Sequence, residues 1–321
     1  MRAACDRRAF LRALGGGAAA WAMAGAAETK PLRGVFPIGQ TPVAASGQLD
    51  LECLANEVRF CNRHGVHGFA WPQIASGWDT LSDAERRSGA ETILAAGRDG
   101  RTALVIGVQD RNGDVERSVA YARHAAGNGA DAIISLPPAG AGEHAVIEYY
   151  KTIGGATELP MIVQTRAGMS VDLVVEMFRQ VPTMRCVKDE AGNPLARVRE
   201  IRERTGGRLA VFSGNGVRTM IDEMRLGFSG HCPMTALADF YAAAFDLWHS
   251  GKEREAFDMF GRLEAFQSIP GAMDYVMVVR GVFHEETRTR GNFGAAQRLD
   301  EAAKQNVRDA WNEFMKPWVR A

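Results

Sequence analysis

The stretch MRCVKDEAGNPLARVREIRERTGGRLAVFSGNG, residues 184–216, reads as one strand–helix–strand unit. MRCVKDE (184–190) is a short run rich in β-forming and apolar residues. Pro194 stands just inside a helix start, and Gly206 follows the helical pattern of 194–204 as a stop. LAVFSGNG (209–216) is the next strand. A helix that carries the chain from one strand to the next is the unit from which parallel sheets are built.

The same alternation extends in both directions. Strand candidates lie at 34–43, 67–72, 102–109, 131–138, 160–166, 184–190, 209–216 and 227–235. Amphipathic segments at 49–64, 82–98, 114–127, 170–180 and 194–204 separate them. Ser82 with Glu85 three residues later forms a capping box, Asp114 is an N-cap, and Gly65, Gly129 and Gly227 act as stops. Eight strands alternating with helices predict an α/β fold, a (β/α)8 TIM barrel. A doubly wound open sheet is the rival, but no G-x-G-x-x-G follows the first strand. After residue 235 the pattern is wholly helical, at 236–249, 252–267, 270–281 and 294–316. The expected organisation is therefore a barrel over 28–235 and a C-terminal helical region over 236–321. The charged, Gly-bounded segment RGVFHEETRTRG (280–291) reads as a solvated loop.

The 321 residues carry formal net charge zero, with 46% hydrophobic and 24% charged residues. That balance gives no electrostatic reason to expect a nucleic acid or an anionic membrane as partner. Residues 1–27 read as a twin-arginine export signal: Arg7-Arg8, then Phe10-Leu11, a Gly/Ala stretch and small residues around Ala24-Gly25-Ala26. The apolar run is too short and too Gly-rich to span a bilayer. The expected location is periplasmic or secreted, with no membrane contact after export; a chance Arg pair would instead leave the chain cytoplasmic. Of five cysteines, Cys5 falls in this segment, leaving Cys53, Cys61, Cys186 and Cys232. Cys53 and Cys61 are eight apart on a predicted helix, about 12 Å along its axis, too far for a disulfide. No Cys or His spacing matches zinc, so buried free thiols and no metal are expected.

Lysine is scarce, at Lys30, Lys151, Lys188, Lys252, Lys304 and Lys316 only. Lys188 alone sits at the end of an apolar strand. In a barrel, alternate strand residues point inward and the C-terminal strand ends carry the chemistry. If Lys188 points inward, so does Cys186, and Glu190 follows at the rim. Desolvation disfavours an ammonium, and a neutral amine attacks ketones and aldehydes to form a Schiff base. The competing role is an interior lysine paired with Glu190 or Asp189, without chemistry.

Several stretches together resemble the dihydrodipicolinate synthase / N-acetylneuraminate lyase family. GVFPIGQTPVAASGQLDLECL is similar to the family opening, and SGWDTLSDAER to its T-L-S-x-x-E-R segment. ARHAAGNGADAIISLPP, CVKDEAGN, FSGNG and LGFSGHCPMTAL resemble later segments in the same order. The resemblance spans about 34 to 315. It implies a barrel enzyme that binds pyruvate or another 2-keto acid through a lysine Schiff base, with Lys188 as that lysine. It implies no metal or organic cofactor, and a homodimer or homotetramer.

Departures from the family pattern are equally specific. The proton-relay tyrosine of the fifth strand falls on Gln164, which cannot exchange a proton near neutral pH. The P-P-Y-Y run is Pro137-Pro138-Ala139-Gly140, so a second tyrosine is missing. The carboxylate-binding G-T-T-G-E loop is Ile74-Ala75-Ser76-Gly77-Trp78, leaving Ser76 and Gly77 as the carboxylate contacts. These changes argue against authentic dihydrodipicolinate synthase activity. Asp110, Glu190 and His231 are the remaining proton-moving candidates; His231 is either an acid/base group or a structural histidine. Arg166 either binds a substrate carboxylate or is a solvated loop residue, and Asn215 either bonds a sugar hydroxyl or shapes its loop. Trp71 and Trp78 are read as loop packing rather than a sugar platform. The expected activity is a Schiff-base lyase, retro-aldol or dehydratase. The alternative is an exported, inactive barrel that binds a keto or sugar acid.

Overall fold

The structure, a computed structural model, describes residues 30–291 and 299–319. The export-signal reading of 1–27 lies outside the described residues. In chain order the strands are β1 (Gly34–Val35), β2 (Thr41–Val43), β3 (Gly68–Trp71), β4 (Ala103–Gly107), β5 (Ala132–Ser135) and β6 (Met161–Gln164), followed by β7 (Met184–Asp189), β8 (Ala210–Ser213), β9 (Gly230–His231) and β10 (Arg288–Arg290). The helices are α1 (Leu51–Arg63), α2 (Asp83–Gly97), α3 (Val115–Gly127), α4 (Glu143–Gly154), α5 (Val171–Gln180), α6 (Pro194–Arg204), α7 (Met220–Arg225) and α8 (Ala238–His249), then α9 (Glu253–Gln267), α10 (Ala272–Val279) and α11 (Glu301–Ala310).

Eight parallel strands run in the order β1-β9-β8-β7-β6-β5-β4-β3. Ile38 bridges to both Ala70 and Met234, which brings the two ends of the sheet together into a barrel. The predicted first strand, 34–43, is interrupted there: β1 belongs to the barrel, and β2 leaves it to pair antiparallel with β10. The barrel interior is a hydrophobic cluster of its own, including Phe36, Ile38, Val105, Ile134, Ile162, Cys186 and Phe212. Phe36 and Phe212 meet edge to face, 5.2 Å apart. Gly68 and Gly230 leave room for them, because a Cβ at either position would overlap the facing ring. Large side chains fill the lower barrel, and a cavity opens at the C-terminal ends of the strands.

The helix starts follow their caps. Asp50, Ser82, Asp114 and Ser170 each accept a backbone N–H in the first turn, and Glu85 completes the capping box at Ser82. Asn193 caps α6 with Pro194 at its first position. Two helices have no such signal and escaped the sequence reading: α4, which follows Gly142, and the six-residue α7. α8 packs on β1 and completes the outer ring of eight helices, so the barrel continues past residue 235. α9, α10 and α11 form the extension. Segment 280–291 is not wholly a solvated loop: β10 lies within it, and Arg290 binds Glu85 at 2.7 Å.

Trp71 is fully buried and donates its indole N–H to Thr41 Oγ1 at 3.0 Å, and Trp78 is nearly buried, as packing requires. All four described cysteines are free. No helix among the described residues is long and apolar enough to cross a membrane.

One buried group makes stability depend on pH. Glu57 is fully buried on α1; its Oε2 accepts the Gln40 N–H at 3.0 Å, and the Thr235 hydroxyl lies near the carboxyl. Burial raises its carboxyl to about 8. A carboxyl raised in the folded state holds its proton longer than in the unfolded chain, so stability falls as pH rises from about 4.5 to about 8. Glu57→Gln should flatten the melting temperature across that window, removing a loss of at most about 5 kcal/mol. Thermal scans at pH 5, 6.5 and 8 decide it; an unchanged slope in the variant would refute the assignment.

Candidate active site

Lys188 is the penultimate residue of β7, and the register pairs it with Gln164 on β6 and Phe212 on β8. Strand alternation sends Cys186, Lys188 and Glu190 inward and Val187 and Asp189 outward. Lys188 is 4% exposed. Its Nζ lies 3.0 Å from Glu190 Oε1, which decides between the two carboxylates considered for it. Asp189 points to the helices, where Arg197 of α6 holds it through Nε at 2.7 Å and Nη2 at 3.1 Å.

Three further contacts fix Glu190. Gln164 is fully buried and donates through Nε2 to Glu190 Oε2, while its own Oε1 has no hydrogen-bond partner among the described residues. Thr165 Oγ1 accepts the Glu190 N–H at 2.8 Å and donates to Asp189 Oδ1 at 2.9 Å. Gly214, at the end of β8, makes the remaining space: a Cβ there would overlap the Glu190 carboxylate. The sequence reading missed Thr165 and Gly214. A strand-end glycine opposite an inward carboxylate is the signal that points to the second.

These groups open into a cavity of about 690 Å³, lined by Lys188, Glu190, Cys232, Ile38, Ile74 and Ala75 from the barrel side. Arg218, Tyr241, Glu264, Gln267 and Ser268 line its other side. Burial pushes the Cys232 thiol up to about 12, against the opposing pull of Lys188, so the thiol stays protonated at neutral pH. Lys188 is the one lysine lining the cavity among the described residues.

Other expected site residues fall elsewhere. His231 faces outward, because Gly230 and Cys232 take the inward positions of its strand. It is fully buried against Phe228 and Phe245, and its Nδ1 lies 2.8 Å from Glu223 Oε2. Burial works to raise Glu223, but hydrogen bonds with His231, Ser213 and Thr219 outweigh it and hold the carboxyl below its ordinary value. His231 therefore belongs to a structural network behind the sheet and does not reach the cavity. Ser76 is buried, and its hydroxyl donates to Gly39 O at 2.6 Å, so its proton is not offered to a ligand. The Gly77 N–H likewise donates to Ile74 O at 3.0 Å, and Gly77 packs against Gly291. Ile74 and Ala75 reach the cavity in place of Ser76 and Gly77. Arg166 is absent from the cavity lining and donates its backbone N–H to Met169 Sδ. Asp110 accepts the N–H groups of Asn112 and Asp114, a turn-forming role. Asn215 follows Gly214 in a short helical turn; its side chain lies outside the described residues.

Asp50, Cys53 and His284 each bring one potential ligand atom within 4.8 Å of the others, away from this cavity. Local structure already occupies the first two: Asp50 caps α1, and the Cys53 thiol contacts Thr287 Oγ1.

Comparison with known proteins agrees with this architecture. The chain is 28% identical over 215 residues to 4-hydroxy-tetrahydrodipicolinate synthase from Alcanivorax borkumensis, covering 64% of this chain and 70% of that protein. It is 23% identical over 235 residues to L-2-keto-3-deoxyarabonate dehydratase from Azospirillum brasilense, covering 70% and 75%. Among solved structures, the catalytic lysine mutant of Ruminococcus gnavus sialic acid aldolase superposes with a TM-score of 0.74 at 19% identity, covering 88% of this chain and 98% of that one. Residues 31–281 match the dihydrodipicolinate synthetase family, and the chain is a divergent member of it.

Proposed function

We propose that this protein is a lyase that binds a 2-keto acid as a Schiff base on Lys188 and then cleaves or dehydrates it. The observation that carries this reading is a nearly buried lysine at the floor of the cavity with a carboxylate 3.0 Å from its Nζ. Glu190 accepts a proton from the ammonium, the free amine adds to the keto carbon as the C=O π bond breaks, and a proton passes from the added nitrogen to the alkoxide to give the carbinolamine. Glu190 returns the proton to the carbinolamine hydroxyl, which leaves as water, and a protonated imine remains. The imine then withdraws electrons from C3. For dehydration Glu190 removes a C3 proton and delivers it to the C4 hydroxyl, which leaves as water; for retro-aldol cleavage it removes the C4 hydroxyl proton and the C3–C4 bond breaks, leaving an aldehyde and the enamine. Glu190 thus replaces the tyrosine that Gln164 cannot replace. Gln164 holds Glu190 in place, and its unpartnered Oε1 can accept from the imine N–H or from a water.

Borohydride reduction in the presence of pyruvate and of 2-keto-3-deoxy sugar acids, followed by peptide mass spectrometry, tests the reading. An adduct on Lys188 is expected; no adduct with any keto acid would sink it. Gly214→Ala should slow adduct formation at least about tenfold by displacing Glu190, while leaving far-ultraviolet circular dichroism unchanged. The second reading, a barrel that binds a keto acid without turnover, is favoured by the loss of both tyrosines. An adduct without product under multiple-turnover conditions would select it. We also propose export through the twin-arginine segment, which a reporter fused to residues 1–30, with and without Arg7→Lys and Arg8→Lys, would check.

A further inference from the structure

We infer that the substrate of this site is a long-chain 2-keto acid whose far end carries an anionic group, seated on Arg218. The inference rests on the Schiff-base reading above and adds the class of substrate.

Burial orders the cavity along its depth. Lys188 at the floor is 4% exposed, whereas Arg218 and Ser268 are exposed and Glu264 and Gln267 half-buried, so these four mark the mouth. A cavity of about 690 Å³ is much larger than a three-carbon keto acid requires. The wall beyond the floor comes from the turn after β8 and from α8 and α9. A substrate joined to Lys188 by its keto carbon must therefore project its chain toward these groups.

The mouth is polar, and its groups differ in how far they are committed. Gln267 Nε2 donates to Tyr241 Oη at 3.0 Å and to Glu264 Oε1 at 3.0 Å. Burial raises the Glu264 carboxyl above its ordinary range, against the opposing effects of Arg218 and the Gln267 bond. The Arg218 guanidinium, by contrast, forms no hydrogen bond and no ion pair within 4.0 Å among the described residues. Arg218 lines the cavity and is exposed, and its guanidinium is the planar fork that matches a carboxylate or a phosphate. Glu264 accepts from Gln267 and makes no ion pair with Arg218 within 4.0 Å, although the Arg218 charge acts on it.

The test compares acids of matched length with different ends. Trapping of Lys188 is measured against concentration for 2-oxohexanoate, 2-oxoadipate, 2-keto-3-deoxygluconate and 2-keto-3-deoxy-6-phosphogluconate. We expect the acids with a terminal carboxylate or phosphate to reach half-labelling at concentrations at least tenfold lower than their neutral-ended counterparts. The carboxylate and phosphate arms separate the two sources of negative charge. Arg218→Met should abolish the advantage, and Arg218→Lys should restore part of it. Equal labelling by neutral and anionic ends, or an equal loss for all four acids in Arg218→Met, would overturn the inference. A second measurement is independent of the imine: 2-hydroxyadipate and 2-hydroxyhexanoate cannot form one, and calorimetry should show tighter binding of the first, lost in Arg218→Met. If no keto acid is trapped yet 2-hydroxyadipate keeps this preference, the Schiff-base reading fails while Arg218 stands as the anion anchor. If the keto acids are trapped without such preference, the reverse holds.

Discussion

Lys188→Ala should abolish the borohydride-trapped adduct and lower turnover of any substrate by roughly 10³-fold or more, because no other lysine among the described residues lines the cavity. The loss must be separated from damage to the fold. Removing the ammonium leaves the Glu190 carboxylate in a largely buried position with Gln164 as a remaining donor. An uncompensated buried charge costs stability, so Lys188→Ala alone should also melt earlier. Lys188→Met combined with Glu190→Gln removes both charges and should recover most of the stability while remaining inactive. Glu190→Gln with Lys188 intact should still give a slow adduct, since the nucleophile is present and only its proton acceptor is lost. Full turnover in Lys188→Ala would end the covalent mechanism. Full turnover in Glu190→Gln would end the proton-transfer role and leave the lysine in place.

Arg280→Met should cost about 3–5 kcal/mol of stability, a fall of roughly 5–8 °C in melting temperature for a chain of this length. Arg280, from the end of α10, meets Asp239 of α8 through two bonds, of 2.8 Å and 2.6 Å, with both side chains nearly inaccessible. It also donates to Ala236 O at 3.0 Å and lies over the rings of Phe60 and Trp311, 4.4 Å and 4.5 Å from their centroids. One guanidinium thus ties the extension to the barrel's outer ring. The size of the effect comes from the carboxylate left behind more than from the lost attraction, and this can be measured. Adding Asp239→Leu to Arg280→Met removes the stranded charge and should return a large part of the lost stability. A single substitution that costs less than about 1 kcal/mol in urea unfolding would show that water reaches Asp239 and that the pair is unimportant.

The barrel was legible because its signals are local and repeated: caps at Asp114, Ser82 and Ser170, the proline that opens α6, and apolar runs of strand length. α4 escaped because a glycine with no side-chain hydrogen bond precedes it. β10 escaped because Arg-Thr-Arg has no apolar alternation, and pairing with β2 alone makes it a strand. Lys188 was legible as a charge in a run that otherwise reads as buried. His231 was misplaced although the same parity rule that turns Lys188 inward turns it outward. Ser76 was misread because a hydroxyl's commitment depends on a carbonyl, that of Gly39, far away in sequence. Arg218, Glu264 and Gln267 had no motif to betray them. Arg218 comes from the turn after β8, whereas Glu264 and Gln267 reach the cavity because α9, beyond the barrel, folds back across its rim.

The pairing of β2 with β10 sets an order of events during synthesis. It joins the beginning of the barrel to a segment more than two hundred residues later, and the contact from Arg290 to Glu85 spans 205 positions. Closing so long a loop is entropically slow, and here it waits until the ribosome has released nearly the whole chain. The wall at Ile74 and Ala75, braced by Gly77 against Gly291, is therefore among the last parts to settle. A nascent chain carries Lys188 long before the wall around its cavity is in place, and a chain terminated before β10 lacks the strand that pairs with β2.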